Sequence, residues 1–265
     1  MNPIKNDVEF ALVLSGGGAL GLAHLGVIED LENLGKTPVE IVGTSMGGII
    51  GACISIGMKE KEIYTLFEKF NSIFNWVGLS FSGNSIITKG KIEKIFRDVF
   101  GNRKMDDTDI DLKLVTTELY TGNIKIFTKH DDVDIVEALL ATMAIPGVFE
   151  EQTIDGVIYV DGFLAANMAV EAVECDTMIA IDVLGKNSFT GIVVKEDNLF
   201  KTQNVLNMIE RSMRILIFNQ TREALKRISS KYYKYIILID IDTKEFKTFQ
   251  FNKLKEIKNI GLNLL

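Results

Sequence analysis

Along the chain, short unbroken apolar runs alternate with longer stretches in which apolar positions recur at helical spacing, and glycine-rich turns separate the two. Phe10–Leu14 is the first run; it ends at Ser15-Gly16-Gly17-Gly18, and a periodic segment from Ala19 to Leu34 follows with Leu22, Leu25 and Ile28 on one side. That order predicts strand, glycine loop and helix. A second run, Val39 to Val42, meets Gly43-Thr44-Ser45-Met46-Gly47-Gly48 and then a small-residue segment from Ile49 to Met58. It predicts a buried strand, a strained turn and a second helix.

Further on, Lys59–Phe70 and Lys91–Phe100 carry the alternation of an amphipathic helix, the latter closed by Gly101 at a C-cap position. Leu112–Thr117 and Ile124–Phe127 predict a hairpin, Asp131–Met143 a helix that exits at Pro146-Gly147, and Gln152–Ile154 with Val157–Val160 a second hairpin around Asp155-Gly156. Met178–Val183 and Tyr235–Ile241 predict two more strands, Thr202–Ile228 and Leu254–Leu262 two more helices. Strands alternating with helices predict an α/β fold in three layers, a central and largely parallel sheet covered on both faces, with its site at the carboxyl ends of the strands. Only Asn71–Thr88 keeps no period. It places Ile73, Phe74, Trp76, Val77, Leu79 and Phe81 among polar residues, as a loop packed on the core or an apolar flap beside a site for acyl chains.

Composition narrows the class. With 265 residues and 47% apolar content the chain is expected to form one domain, 1–265, with a sizeable core. A formal charge of −7 without any dense basic block argues against nucleic acid as a partner and against long-range attraction to an anionic membrane, while leaving local, transient contact with a lipid surface open. Cys53 and Cys175 lie far apart and lack metal-ligand spacing, which suits a reducing compartment. The polar start, with Asp7 and Glu9 ahead of the first apolar run, does not resemble a secretion signal, so a cytoplasmic location is expected. Residues 39–58 hold a single charge, Glu40, over a length that would cross a bilayer, but their glycines and central serine fit strand-turn-helix better.

Chemistry enters at Gly43-Thr44-Ser45-Met46-Gly47, a G-x-S-x-G on a predicted strand-to-helix turn, which lifts a serine hydroxyl clear of the backbone. Side chains at Gly43 or Gly47 would crowd such a turn. The glycines at 16, 17 and 18 let successive N–H groups converge on a negative charge, either a phosphate or the oxyanion of acyl transfer. Gly16-Gly17-Gly18-Ala19-Leu20-Gly21 is only loosely a dinucleotide fingerprint and lacks the G-K-[ST] ending of a P-loop.

A serine nucleophile needs a base, and histidine is the usual one. Only His24, inside a predicted helix, and His130, in a polar loop, are available, and packing or solvation explains each more simply than catalysis. A carboxylate is the remaining choice, provided burial raises its pKa from about 3.9. Asp161, which follows a hairpin strand and precedes Gly162, is the first candidate; Asp182 and Asp240, at other strand ends, are rivals.

Taken together, these residues resemble the patatin-like phospholipases, acyl hydrolases with a serine-aspartate dyad. Four blocks match in order: Gly16 to Gly21 as the glycine-rich loop, Gly43 to Gly47 as the elbow, Ala141 to Pro146 as the proline block, and Asp161-Gly162 as the D-G motif. Weaker likenesses fall at Lys89-Gly90 and Thr117 to Gly122. The resemblance implies a Ser45 nucleophile, Asp161 as general base, an oxyanion hole from the N–H groups of Gly16, Gly17 and Gly18, a lipid or fatty-acyl ester substrate, and neither metal nor cofactor. It also implies that His24 is not the base.

Three positions depart from the family pattern: Leu20 stands where Arg or Lys is frequent, Thr142 replaces the serine of the proline block, and Phe163 replaces the last glycine of D-G-G. Two rival readings follow. One is a nucleotide or phosphate binder using the Gly16–Gly21 loop; the other is a catalytically weak, regulatory member of the same fold.

Overall fold

A computed structural model describes residues 8–69, 89–189, 202–231 and 235–265 of the chain. The apolar stretch 71–88 lies outside the described residues. Strands β1 (Ala11–Leu14), β2 (Glu40–Thr44), β3 (Asp111–Glu118), β4 (Ile124–Phe127), β5 (Gln152–Ile154), β6 (Val157–Asp161), β7 (Thr177–Asp182) and β8 (Tyr235–Asp240) form one sheet. Helices α1 (His24–Asn33), α2 (Met46–Ser55), α3 (60–69), α4 (Lys89–Phe100), α5 (Ile135–Thr142), α6 (Phe163–Ala166), α7 (Thr202–Lys231) and α8 (Leu254–Asn259) surround it.

Strands pair in the order β5-β6-β3-β2-β1-β7-β8, with β4 also on β3. Pairs β1/β2, β1/β7, β2/β3 and β7/β8 are parallel; the two hairpins bring in antiparallel β4, β5 and β6. Alternation along the central strands explains the three layers. Leu12, Leu14, Ile41, Leu112, Leu114, Ile179 and Ile181 face a core shared with α1, α2, α5 and α8. Ala11, Val13, Val42, Val115, Met178 and Ala180 face a second core completed by residues 168–173 and by Ala224 and Ile228 of α7. Both faces of the sheet are therefore buried, as the unbroken apolar runs require.

Two expected elements are altered. The helix expected over 19–34 begins as a 3-10 turn, Gly18–Ala23, before α1. The one expected from Asp131 starts only at Ile135, because Asp131 instead accepts the Thr128 N–H at 2.8 Å and pairs with Lys125, while Met105 donates to the Val133 carbonyl at 3.0 Å. Local capping and a bond from a distant residue of the chain hold those residues out of the helix. At Asp155-Gly156 both φ angles are positive, 50° and 78°, as a two-residue hairpin turn demands. Among the described residues no helix is long and apolar enough to cross a membrane, and residues 39–58 form β2, the turn and α2.

The register of β3 places the site. Its residues Leu114 and Val115 pair with β2 and β4 at once, and Thr116 and Thr117 pair with β4 and β6. A strand has two edges, so β6 must lie on the same edge as β2, just past its end. The last pair of β2 is Thr44 with Val115; the last of β6, running the other way, is Asp161 with Thr116. The two strands meet head-on, and Ser45 and Asp161 are the residues at the junction.

Candidate active site

Ser45 links β2 to α2 with φ 53° and ψ −123°, a conformation that L residues rarely adopt and that costs of order 1–3 kcal/mol unless its surroundings enforce it. The surroundings do so. A Cβ on Gly43 would sit 2.6 Å from the Gly48 Cα, and one on Gly47 would sit 2.6 Å from the Ser15 carbonyl oxygen, so the turn closes only with glycine at both places. The Ser45 N–H donates to Thr142 Oγ1 at 2.9 Å, and the Thr142 hydroxyl donates to the Val115 carbonyl at 2.6 Å. Thr142 thus ties the elbow to the β3 strand. Its place in the proline block is filled by a hydroxyl residue because that bridge needs a donor and an acceptor on one atom.

Asp161 is fully buried at the end of β6, and burial pushes its carboxyl up to about 7 against the lowering effect of the Ser45 hydroxyl and the Phe163 N–H. Oδ1 accepts from that N–H at 3.0 Å. The hydroxyl of Ser45 faces the carboxyl closely enough to act on it, yet short of a regular hydrogen bond, for Oδ2 is buried with no hydrogen-bond partner. The structure brings these two residues together. Gly162 is needed because Val115 and Thr44 crowd its Cα, while the donor at 163 is backbone, so Phe in that place leaves the bond intact.

The glycine loop abuts the elbow: a Cβ on Gly16 would lie 3.2 Å from the Ser45 Cβ. Of the three glycines expected to offer N–H groups, Gly16 is already committed to the Asn167 carbonyl at 3.2 Å, and the Ala19 N–H to the Thr248 carbonyl at 2.7 Å. Among the described residues the Gly17 and Gly18 N–H groups meet no acceptor. Gly18, at φ 55°, lines the same pocket as Ser45. The rest of that pocket is apolar: Ile49, Met143, Ile145, Phe149, Phe249 and Phe251.

The remaining sequence candidates sit elsewhere. His24 is buried, donates from Nε2 to the Ser15 carbonyl at 2.9 Å, and burial lowers its pKa to about 4, so it is neutral and bonded to backbone rather than to Ser45. His130 is an exposed turn residue whose N–H bonds Thr128. Asp182 accepts the Leu184 N–H at 2.9 Å and has the Ser15 hydroxyl beside it; Asp240 takes the Asn187 N–H at 3.4 Å. Both shape the loop after β7. Leu20 is wholly buried in the core. No group of side chains suited to a metal ion occurs among the described residues. Phe249 and Phe251 were not legible as site residues, since aromatic residues in an aperiodic stretch give no positional signal.

This arrangement defines an α/β protein with a serine on a strained strand-to-helix turn, a buried carboxyl facing it, and free N–H groups beside both. The chain belongs to the patatin-like phospholipase family, whose model matches residues 12–173, more than half of its length. Among similar proteins, an uncharacterized NTE family protein of Mycobacterium bovis is 29% identical over 190 residues, which are 69% of this chain and 51% of that protein. Patatin-like phospholipase domain-containing protein 6 of Mus musculus is 28% identical over 275 residues, 95% of this chain and 20% of that one. Lysophospholipase NTE1 of Kluyveromyces lactis is 28% identical over 297 residues, 98% and 20% of the two. The chain therefore spans about half of the first relative and about a fifth of the others. In the solved structure of VipD from Legionella pneumophila the likeness has a TM-score of 0.45 at 14% identity, over 95% of this chain and 67% of that one.

Proposed function

We propose that the chain, as one domain, is a lipid acyl-ester hydrolase of the phospholipase A or lysophospholipase type that works through an acyl-enzyme. The observation that carries this reading is the head-on meeting of β2 and β6, which sets a strained serine against a buried carboxyl whose second oxygen has no partner. Ser45 Oγ attacks the ester carbonyl while Asp161 Oδ2 takes its proton. The carbonyl oxygen becomes an oxyanion held by the Gly17 and Gly18 N–H groups. Collapse of the tetrahedral intermediate breaks the ester C–O bond, and the proton on Asp161 passes to the leaving alcohol. Water then attacks the acyl-enzyme by the same route and releases the fatty acid.

A carboxyl held near 7 by burial is a far better proton acceptor than an ordinary aspartate, which answers the weakness of Asp as a base. Support for an acyl substrate comes from the apolar pocket beside Ser45, which suits a hydrocarbon chain and has no charged side chain among its lining residues. Membership of the phospholipase family and the lysophospholipase name of a yeast relative support the same class. The reading keeps the cytoplasmic location as a proposal, with which two cysteines in no disulfide, of which Cys53 is buried, are compatible.

The test is hydrolysis of a chromogenic fatty-acyl ester and of lysophosphatidylcholine, with labelling by a fluorophosphonate. Ser45→Ala is expected to abolish labelling and lower kcat by about a thousandfold or more, with the fold kept by circular dichroism. Hydrolysis retained in that variant would overturn the reading.

A further inference from the structure

Beyond the family-matched residues, α7 carries a polar cluster that ends at the glycine loop. Glu210 Oε1 accepts three hydrogen bonds, from the Thr248 N–H at 2.8 Å, the Thr248 hydroxyl at 2.7 Å and Arg214 Nη2 at 2.7 Å. Arg214 also donates to the Ser188 carbonyl at 2.8 Å and the Phe246 carbonyl at 2.9 Å, so one ion pair holds residues 246–248 against the helix. From the other side of the same residue, the Thr248 carbonyl takes the Ala19 N–H at 2.7 Å and leaves no room for a side chain on Gly18, whose Cβ would lie 2.4 Å from its oxygen. The next residues, Phe249 and Phe251, are walls of the Ser45 pocket.

We infer that Glu210 is a positioning residue for the oxyanion donors, fixing Thr248 so that the Ala19 N–H is tied back and the Gly17 and Gly18 N–H groups face the reacting carbonyl. This rests on the hydrolase reading above and deepens it. The chain of contacts is short and each link is directional. Without Glu210, Thr248 loses the acceptor of both its N–H and its hydroxyl and keeps there only a 3.4 Å contact from Arg214 Nη2 to its Oγ1, while Arg214 itself loses the carboxylate that steadies it. Burial works against the charge on Glu210, but Arg214 and Thr248 outweigh it and keep the carboxyl below the usual carboxylate range. It therefore stays ionised wherever Asp161 is ready to act. Oxyanion donors are effective only when held at the place where charge develops, so loosening them lowers turnover and leaves ground-state binding nearly untouched.

The experiment compares Glu210→Ala, Glu210→Gln and, as a control on the same helix, Glu223→Ala, whose partners are the exposed Lys226 and Arg222. Amide hydrogen exchange reads the clamp and steady-state ester hydrolysis reads its use. Glu210→Ala is expected to speed exchange at the Ala19 amide by about tenfold with β1 unchanged, and to lower kcat by about tenfold with KM within about twofold. Glu210→Gln, which keeps an acceptor for Thr248, recovers most of both, and Glu223→Ala changes neither. An Ala19 amide indifferent to Glu210, a loss in KM rather than kcat, or faster exchange throughout the sheet would each overturn the inference. A wild-type protein that hydrolyses nothing, while its Ala19 amide still responds, would overturn the hydrolase reading and support the clamp.

Discussion

Two buried serine-aspartate pairs stand at the carboxyl ends of strands in the same sheet, and they differ in what surrounds the serine. Asp161 and Asp182 are both sunk in the protein, both pushed up to about 7 by burial, and both accept the N–H two residues on. Each has a serine hydroxyl near it, Ser45 in one case and Ser15 in the other. Around Ser15 the surroundings are closed: it is fully buried and its Oγ accepts the Val183 N–H at 3.0 Å. At Ser45 the backbone is strained, the residue lines a pocket, and Asp161 keeps one oxygen unpaired. A raised pKa marks both; backbone strain at the serine and a pocket beside it mark only Ser45 and Asp161, the pair proposed to react.

The comparison breaks most visibly in kinetics. Asp161→Asn is expected to lower kcat by about a thousandfold or more, whereas Asp182→Asn should stay within about tenfold of wild type. Equal losses in steady-state assays would erase the distinction. Stability should run the other way for Asp161. Its folded pKa lies above the ordinary 3.8, so the folded state binds the proton more tightly and stability falls as pH rises from near 4 to about 7, then levels off. Removing the buried charge with Asn should therefore raise unfolding stability at pH 8 by about 1–3 kcal/mol in urea titration.

The pH profile sharpens the same point. Since the base must be deprotonated, kcat/KM should climb about tenfold per unit below pH 7 and flatten above it. A flat profile down to pH 5 would mean that the Asp161 carboxyl is not the acceptor. Thr142→Val, which strips partners from the Ser45 N–H and the Val115 carbonyl, is expected to cost about 1–3 kcal/mol of stability, with Thr142→Ser close to wild type. The smallest effect is local: Ser45→Gly should unfold about 1 kcal/mol later than Ser45→Ala, because glycine accepts φ 53° and alanine does not.

Much of this was legible beforehand, for physical reasons that vary with the element. Buried strands announce themselves as unbroken apolar runs, so β1, β2, β7 and β8 fall where Phe10–Leu14, Val39–Val42, Met178–Val183 and Tyr235–Ile241 place them. The elbow was legible because close backbone approach at Gly43 and Gly47 leaves no room for other residues. What pattern alone left open was partnership. Asp161, Asp182 and Asp240 look alike from a strand end, and only the edge shared by β2 and β6 on β3 singles out the first. Likewise, which glycine N–H groups remain available depends on Asn167 and Thr248, residues remote in sequence from the loop they bind. The helix boundary at Ile135 was missed because Asp131 found a nearer partner than the helix.

The junction on the β3 edge also governs when the candidate site can first be assembled. Ser45 and Asp161 are separated by more than a hundred positions, and Thr248 by a further eighty and more. A chain emerging from the ribosome carries its alcohol long before its acid, and its acid long before the strap behind the glycine loop. Half-made molecules thus hold the serine hydroxyl without the carboxyl that faces it, and the proposed hydrolysis has both groups in place only with the finished sheet.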